Sequence, residues 1–134
     1  MTRLIIITLS GMLFFVMAGV AYSKIIIFKD CRGSTQKEFD KKSYKEFKWT
    51  LDTEKKEANV LVVYTDDFIK NSSKSKTYYD KYPIIFADDK YIIAGEKKGI
   101  MTFKLTFFLN LKEVEHSTKF ENDDQEIVNK SFCK

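Results

Sequence analysis

The strongest constraint in this sequence is a stretch of alternating polarity, Ile100–Lys112, which reads IMTFKLTFFLNLK. Apolar side chains occupy one parity of the stretch, and polar side chains occupy the other, with Phe108 as the main exception. Because successive side chains of a strand point to opposite faces of a sheet, this pattern predicts a β-strand with one dry face and one wet face. The stretch is longer than an ordinary strand, so we expect it to be bent or bulged.

Similar but shorter patterns fill most of the chain after residue 23. The segments with alternating or β-branched apolar residues are Lys24–Cys31, Tyr44–Asp52, Asn59–Thr65, Tyr78–Ala87, Tyr91–Glu96 and Val114–Phe120. Short polar turns between them are typical of antiparallel hairpins. We therefore predict an all-β domain of about seven antiparallel strands, a meander that forms a small β-barrel or a strongly curved sheet. An outer-membrane barrel is the architectural alternative, but clear aromatic girdles are missing.

Four local features refine this prediction. The apolar run Ile25–Phe28 is typical of a strand that is covered on both faces or capped by the tail of the chain. Pro83 cannot donate a ladder hydrogen bond, so we expect it at a strand start, an edge or a bulge. Gly95 is a candidate for a second bulge. The sequence Asn122–Gln125 has the capping and acidic residues of a helix start, and it predicts a short C-terminal helix.

The N-terminal residues have the features of a secretory signal. Arg3 supplies a positive charge, Leu4–Val20 is apolar, and Ala21–Ser23 is a small-x-small cleavage site. We therefore predict a cleaved signal peptide at residues 1–23 and a single β-rich domain at residues 24–134, with no membrane span after cleavage. An uncleaved N-terminal anchor is the alternative, because the apolar segment is long for a cleaved signal.

The two cysteines, Cys31 and Cys133, fit this exported location. They allow one intrachain pairing, and disulfides persist in oxidising compartments. A reactive or metal-binding thiol pair is the alternative, but the chain has one histidine and no CxxC motif. We predict a structural disulfide between the two cysteines in a periplasmic or secreted protein.

The charge pattern argues against a nucleic-acid partner. The formal net charge is +4, and removal of residues 1–23 deletes one arginine and lowers it to +3. Basic residues alternate with acids along the whole chain, so no basic stripe is available to follow phosphates. The predicted domain has the size of one small unit, and we expect a monomer that binds no nucleic acid.

No set of residues in the sequence indicates catalysis or a cofactor. The single histidine, His116, has no cysteine or carboxylate at ligand spacing, and no GxSxG nucleophile motif is present. The acid pairs Asp66–Asp67, Asp88–Asp89 and Asp123–Asp124 lack the glycine and glutamate of a calcium-binding loop. We therefore expect a non-enzymatic protein without catalytic residues, metal ligands or a cofactor.

The aromatic residues provide the main functional hypothesis. Six of them occupy positions from which they can share one interior: Phe47, Trp49, Tyr64, Phe86, Phe103 and Phe107. Such residues either pack a solid core or line a pocket for a small apolar ligand, and the pattern does not separate these alternatives. We favour a binding module in which Trp49, Tyr64, Phe103 and Phe107 bind the ligand. The polar segment Asp66–Thr77 is then a candidate lid.

The alternative function is an exported protein-interaction or inhibitor domain with a solid core. Such a domain would contact an envelope protein partner through outward groups, for example Phe108 and the pair Tyr78–Tyr79.

The segments WTLD, YIIAG and FFLNLK resemble parts of small, uncharacterised exported β-rich proteins of AT-rich bacteria. Hairpins that end in Ile-Asp or Leu-Asp, a Y-I-x-A strand and a late L-N/D-L-K strand recur in that group. The resemblance covers most of residues 24–134 and implies an exported β-rich domain, without implying any particular activity.

Overall fold

The computed structural model describes residues 24–70 and 72–134, and the predicted signal peptide lies outside these residues. The described residues form nine strands and one short helix. The strands are β1 (Ile25–Lys29), β2 (Arg32–Gly33), β3 (Tyr44–Asp52), β4 (Glu57–Tyr64), β5 (Thr77–Ala87), β6 (Tyr91–Lys98), β7 (Met101–Phe108), β8 (Glu113–Phe120) and β9 (Glu126–Phe132), and the helix is α1 (Asp66–Lys70). The prediction of an all-β antiparallel meander is confirmed.

All nine strands belong to one antiparallel sheet that is curled into a half-barrel. Strands β3 to β9 follow one another as a meander, while β1 pairs with β3 and β2 pairs with β9. Since β1 and β2 belong to one chain segment, residues 25–33 contact both ends of the meander. At the junction, Lys29 N donates to Lys134 O (3.0 Å) and Lys134 N donates to Lys29 O (2.7 Å). The N-terminal segment thus joins the first and last strands of the meander.

Strand β5 changes its neighbour halfway along its length. Residues Thr77–Pro83 pair with β4, whereas Ile84–Ala87 pair with β6, with a register shift between Ile84 and Phe86. Pro83 lies at this change, as expected for a residue that has no N–H to donate. Within the described residues, Gly95–Lys98 of β6 have no partner on the side of β5. The sheet is therefore open between the first half of β5 and the last half of β6.

The core lies on the dry face of the half-barrel, at the closed end, which is the end where β5 and β6 are paired. Its largest fully buried side chains are Phe28, Phe107, Leu51, Ile92 and Val114. The ring of Phe107 packs edge-on against Phe28 (5.6 Å between centroids) and Trp49 (5.1 Å). Burying such a side chain stabilises the fold by roughly 1.5–3 kcal/mol, so this aromatic cluster is a major source of stability.

The long alternating stretch forms a shorter strand than predicted. β7 covers Met101–Phe108, and the next four residues form the turn into β8. Lys112 has a left-handed backbone (φ 53°), and Leu111, predicted to lie on the dry face, is 65% exposed. Leu109 still packs against the core, but the tight turn interrupts the period of two, so the apolar parity no longer predicts burial at Leu111.

Strand β1 is buried on one face, not on both. Phe28 is fully buried and Ile26 is half-buried, whereas Ile25 and Ile27 are 66% and 47% exposed. The tail of the chain meets this strand at Lys29, through the Lys134 backbone. The expectation that the outer face is covered is therefore wrong for the described residues.

The predicted C-terminal helix is wrong, because the tail forms strand β9. Residues Glu126–Phe132 pair in register with β8, and Asp123 Oδ1 accepts a hydrogen bond from Gln125 N (3.0 Å) within the preceding turn. The acidic and amide residues that suggested a helix start therefore form a β-turn. Local capping contributes about 1 kcal/mol, which a full ladder of strand pairing outweighs.

The predicted disulfide between Cys31 and Cys133 is present, and it lies at the junction of the sheet. It bridges the residue before β2 and the residue after β9, with a sequence separation of 102. Asp30 has a left-handed backbone (φ 52°), which turns the chain between β1 and β2. The disulfide thus covalently fixes the contact that joins the two ends of the meander.

Removal of this bond should reduce stability without removing the fold. In the chain-entropy description, closing a loop of about 100 residues stabilises the folded state by up to about 4.7 kcal/mol. We expect the Cys31→Ser/Cys133→Ser variant to unfold at lower urea concentration than the oxidised wild type, with its strand signal in circular dichroism retained. Reductant should destabilise the wild type and leave the double variant unchanged. Equal urea midpoints would contradict this stabilising role.

Gly95 is required for a close backbone approach, and it is not the bulge that was predicted. The register between β6 and β7 runs without a shift through Gly95, while the observed shift lies in β5. A Cβ atom at Gly95 would lie 2.7 Å from the carbonyl oxygen of Phe103 on β7. That distance is shorter than a van der Waals contact, so the two strands would have to separate.

We therefore expect Gly95→Ala to lower the free energy of unfolding by about 1–3 kcal/mol, measured by urea denaturation. Gly33→Ala is the matched control, since the nearest atom to its added Cβ, Gln36 Oε1, lies at 3.9 Å. A Gly95→Ala variant as stable as the Gly33→Ala control would show that the strands can adjust.

Candidate ligand-binding cleft

Several strands direct apolar side chains inward at the open end of the half-barrel, where β5 and β6 diverge. Trp49 on β3 pairs in register with Val60 on β4, and both side chains are buried. Phe103 and Leu105 alternate with exposed residues on β7 in the same way. The period of two that predicted the strands therefore also brings these distant segments to one face.

Together these side chains surround a cavity of about 300 Å³. Its lining residues are Phe47, Trp49, Val60, Val62, Tyr64, Tyr78, Tyr82, Phe103, Lys104, Leu105, His116, Ser117 and Thr118. Most of them are apolar or aromatic, and they come from strands β3, β4, β5, β7 and β8. A largely apolar concave site of this volume is at the lower end of the range for small-molecule pockets.

Three of the four predicted ligand-binding residues line this cavity. Trp49, Tyr64 and Phe103 do so, whereas Phe107 is fully buried in the core, where its ring packs against Trp49. Phe86, also placed in the interior by the sequence pattern, is half-exposed on the outer face and stacks on Tyr91 (5.5 Å). The sequence prediction therefore identifies the region of the cavity, but it does not separate the lining from the core behind it.

The sequence prediction missed the contribution of β5. Tyr78 and Tyr82 line the cavity, and Asp80 lies between them on the same parity. In the register of the sheet, Tyr78 is opposite Val62 and Asp80 is opposite Val60, which are inward residues of β4. The alternation of tyrosine, aspartate and tyrosine could have revealed this face, but an ionisable residue on a dry face obscured the pattern.

Asp80 is held as a carboxylate by its neighbours. Tyr78 Oη donates to Asp80 Oδ2 (3.2 Å), and Lys81 N donates to Asp80 Oδ1 (2.8 Å). Partial burial acts to raise the pKa of Asp80, but these hydrogen bonds, that of the Tyr82 hydroxyl and the charge of Lys98 lower the pKa below its usual value. The inner face of β5 therefore carries a negative charge at neutral pH.

His116 contributes a neutral imidazole to the cavity wall. Its ring centroid lies 6.4 Å from that of Trp49, and its Nε2 lies 3.3 Å from the Ser131 hydroxyl. Burial lowers the pKa of His116, because the charged form loses its hydration. The indole N–H of Trp49 is also buried, and no described residue accepts a hydrogen bond from it.

The segment predicted as a lid lies beside the cavity. Thr65 Oγ1 accepts a hydrogen bond from Phe68 N (3.3 Å) and caps helix α1, whose Phe68 ring stacks on Tyr64 (4.9 Å between centroids). After the helix, Tyr64 N donates to Lys76 O (2.9 Å), so the loop returns to β4. A further cavity of about 390 Å³ is lined by Tyr64, Lys74, Ser75 and Tyr78, which places the loop next to two residues of the cleft.

A larger, more polar cavity of about 560 Å³ lies at the disulfide. It is lined mainly by charged side chains and the C-terminal residues: Asp30, Arg32, Lys37, Glu38, Phe39, Lys41, Phe132, Cys133 and Lys134. Both signs of charge are mixed around it, and the rings of Phe39 and Phe132 are the largest apolar groups in its wall. It offers a ligand less apolar contact than the cleft lined by Trp49.

Within residues 24–70 and 72–134, no group of three or more histidine, cysteine or acidic side chains is placed to hold a metal ion. Asp88 instead organises the turn between β5 and β6, since its Oδ1 accepts hydrogen bonds from Lys90 N and Tyr91 N (both 2.8 Å). Among the described residues, no helix has the length and apolar character needed to cross a membrane.

Comparison with protein families, curated proteins and solved structures finds no match to this chain.

The pKa of His116 can be tested directly, because it is the single histidine of the chain. We expect its imidazole NMR signals in the folded protein to titrate below the usual value of 6.5. A folded-state pKa below the unfolded value means that the unfolded chain binds the proton more readily, so wild-type stability should fall as pH decreases through 6.5.

His116→Gln removes this effect. The unfolding free energy of the wild type should therefore decrease relative to that of the variant as pH falls. The shift should level off below the folded pKa of His116. A folded-state titration at or above that of the urea-unfolded chain would contradict a buried, neutral imidazole.

Proposed function

We propose that the protein is an exported, non-enzymatic binding module that takes a small apolar ligand into the cleft lined by Trp49, Tyr64 and Phe103. The observation that carries this proposal is the cavity of about 300 Å³, whose wall is formed by aromatic and aliphatic side chains. Displacing water from such a wall stabilises a bound apolar group by about 25 cal/mol for each Å² of apolar surface buried.

The proposed export rests on the sequence of residues 1–23 and on the disulfide. The disulfide between Cys31 and Cys133 is compatible with a periplasmic or extracellular location, since such compartments keep structural disulfides oxidised. The signal peptide and its cleavage before Lys24 belong to this proposal.

The segment Asp66–Thr77 is the proposed gate of the cleft. Its helix is held by the stacking of Phe68 on Tyr64, and its ends are linked by the ion pair between Lys76 Nζ and Asp66 Oδ1 (2.9 Å). Both partners of the ion pair are largely exposed, so this link is weak. Opening of the segment would expose Tyr64 and the cavity behind it.

A second candidate function is supported by an aromatic row on the outer face. Phe86, Tyr91 and Phe108 form this row, with centroids 5.5 Å and 6.5 Å apart, and the neighbouring Ile85 is 66% exposed. Exposed apolar surface of this kind is typical of protein interfaces. Tyr79 is also outward, and its hydroxyl donates to Asn59 Oδ1 (3.1 Å). This surface would serve the alternative of a protein-interaction or inhibitor domain.

The two functions make different predictions for the single tryptophan. Under the binding proposal, neutral apolar probes from toluene to decanol should change Trp49 fluorescence saturably, because Trp49 lines the cavity. Phe103→Ala should weaken binding by about tenfold, which corresponds to about 1.4 kcal/mol of lost contact.

Phe120→Ala on β8 is the matched control, since Phe120 is not among the cavity-lining residues and should leave affinity unchanged. No saturable response across the panel would contradict the cleft as a binding site and favour the outer aromatic row as the functional surface.

A further inference from the structure

We propose that the ligand of this cleft is an organic ammonium ion, with its apolar body in the cavity and its cationic group between Asp80 and the rings of Tyr78 and Tyr82. The inference rests on the proposed binding function and specifies the chemical class of the ligand. It starts from a charged residue on the face of the sheet that is otherwise apolar.

Asp80 lies on the inner face of β5; it does not itself line the cavity, but it stands between two residues that do. Its register partner Val60 is buried and lines the cavity, as do its neighbours on the same parity, Tyr78 and Tyr82. The Tyr78 hydroxyl donates to the Asp80 carboxylate (3.2 Å), which orients the carboxylate between two lining residues. A cationic group bound in the cleft would therefore meet Asp80 at the mouth.

The charge of Asp80 is not neutralised by an ion pair within the described part of the chain. Lys98 of β6, whose charge acts on Asp80, makes its own ion pair with Glu96 Oε2 (3.6 Å). Lys104 also borders the cavity, but it lies on the opposite parity of β7 from Phe103 and is exposed. The inner parity at the β5–β6 opening thus carries the carboxylates of Asp80 and Glu96 and the ammonium group of Lys98, and Lys104 adds a second positive charge in the cavity lining.

Two tyrosines flank Asp80 on the inner parity of β5. Tyr82 lies 6.1 Å from Trp49 between ring centroids, and Tyr78 is held by its hydrogen bond to Asp80. Aromatic faces attract ammonium groups because the ring quadrupole is negative above the plane, and clusters of such rings recognise alkylated ammonium ions. A carboxylate with adjacent tyrosines and a tryptophan is therefore suited to an organic cation.

The deeper part of the cavity would take the uncharged part of the same molecule. Val60, Val62 and Leu105 are buried there, and burial keeps the His116 imidazole in its neutral form. An anionic ligand would place its charge near Asp80, where the two negative charges repel each other. The arrangement therefore favours an amphipathic cation over a neutral or anionic molecule with the same body.

The test uses three molecules that share a naphthyl body and differ in charge. Calorimetric titration of the oxidised protein at pH 7 compares 2-naphthylmethylammonium, 2-naphthalenemethanol and 2-naphthoate. We expect the ammonium ion to bind about tenfold or more tightly than the alcohol, and the carboxylate to bind least, because a charge-assisted contact and ring contacts are gained only by the cation.

Asp80→Asn should weaken binding of the ammonium ion by about tenfold and leave the alcohol unchanged, which also shows that the variant is folded. Asp89→Asn is the matched control, because it removes the same charge from an exposed turn position at the other end of β5. In this control, binding of the ammonium ion should stay at the wild-type value.

The outcomes separate this inference from the function on which it rests. If the alcohol binds as tightly as the ammonium ion and Asp80→Asn changes neither, the ammonium inference is overturned while the apolar binding site stands. Tightest binding of the carboxylate would also overturn the inference and leave the site. If none of the three molecules binds, the proposed binding function fails, and the inference fails with it.

Discussion

The architecture depends on the contact between residues 25–33 and the end of the chain. A meander of seven strands has two free edges, and free edges expose unpaired backbone groups. Here one segment covers part of both edges, since β1 pairs with β3 and β2 pairs with β9. Two backbone hydrogen bonds between Lys29 and Lys134 and the disulfide between Cys31 and Cys133 hold this junction. Since the sheet is curled into a half-barrel and joined at this contact, its dry face forms an interior.

The cleft exists because the opposite side of the sheet is not joined in the same way. β5 pairs with β4 before Pro83 and with β6 after it, so the two neighbours diverge where the cavity lies. At the closed end Phe28, Phe107 and Trp49 fill the interior with rings in contact. At the open end, where β5 and β6 diverge, Tyr78 and Tyr82 line the cavity. One curved sheet therefore contains a packed half and a hollow half.

The charge of Asp80 departs most clearly from the binary pattern. A dry face with an ionised carboxylate is destabilising unless hydrogen bonds compensate for the lost hydration. The Tyr78 hydroxyl and the Lys81 backbone N–H supply those bonds. Departures of this kind from local consistency are concentrated at functional sites, and Asp80 stands between two residues that line the cleft.

The sequence by itself determined seven of the nine described strands, because the period of two depends only on side chains that alternate between faces of a ribbon. All seven predicted strands are present, and the disulfide followed from the presence of two cysteines. Only the tertiary structure decided that the tail pairs with β8 as strand β9, since strand pairing outweighs the local helix signal at Asn122–Gln125. It also decided that Phe107 belongs to the core while Phe103 lines the cavity, although both have the same parity. Periodicity specifies which face of the sheet a residue lies on. Whether that residue packs in the core or lines the cavity depends on where the neighbouring strands diverge.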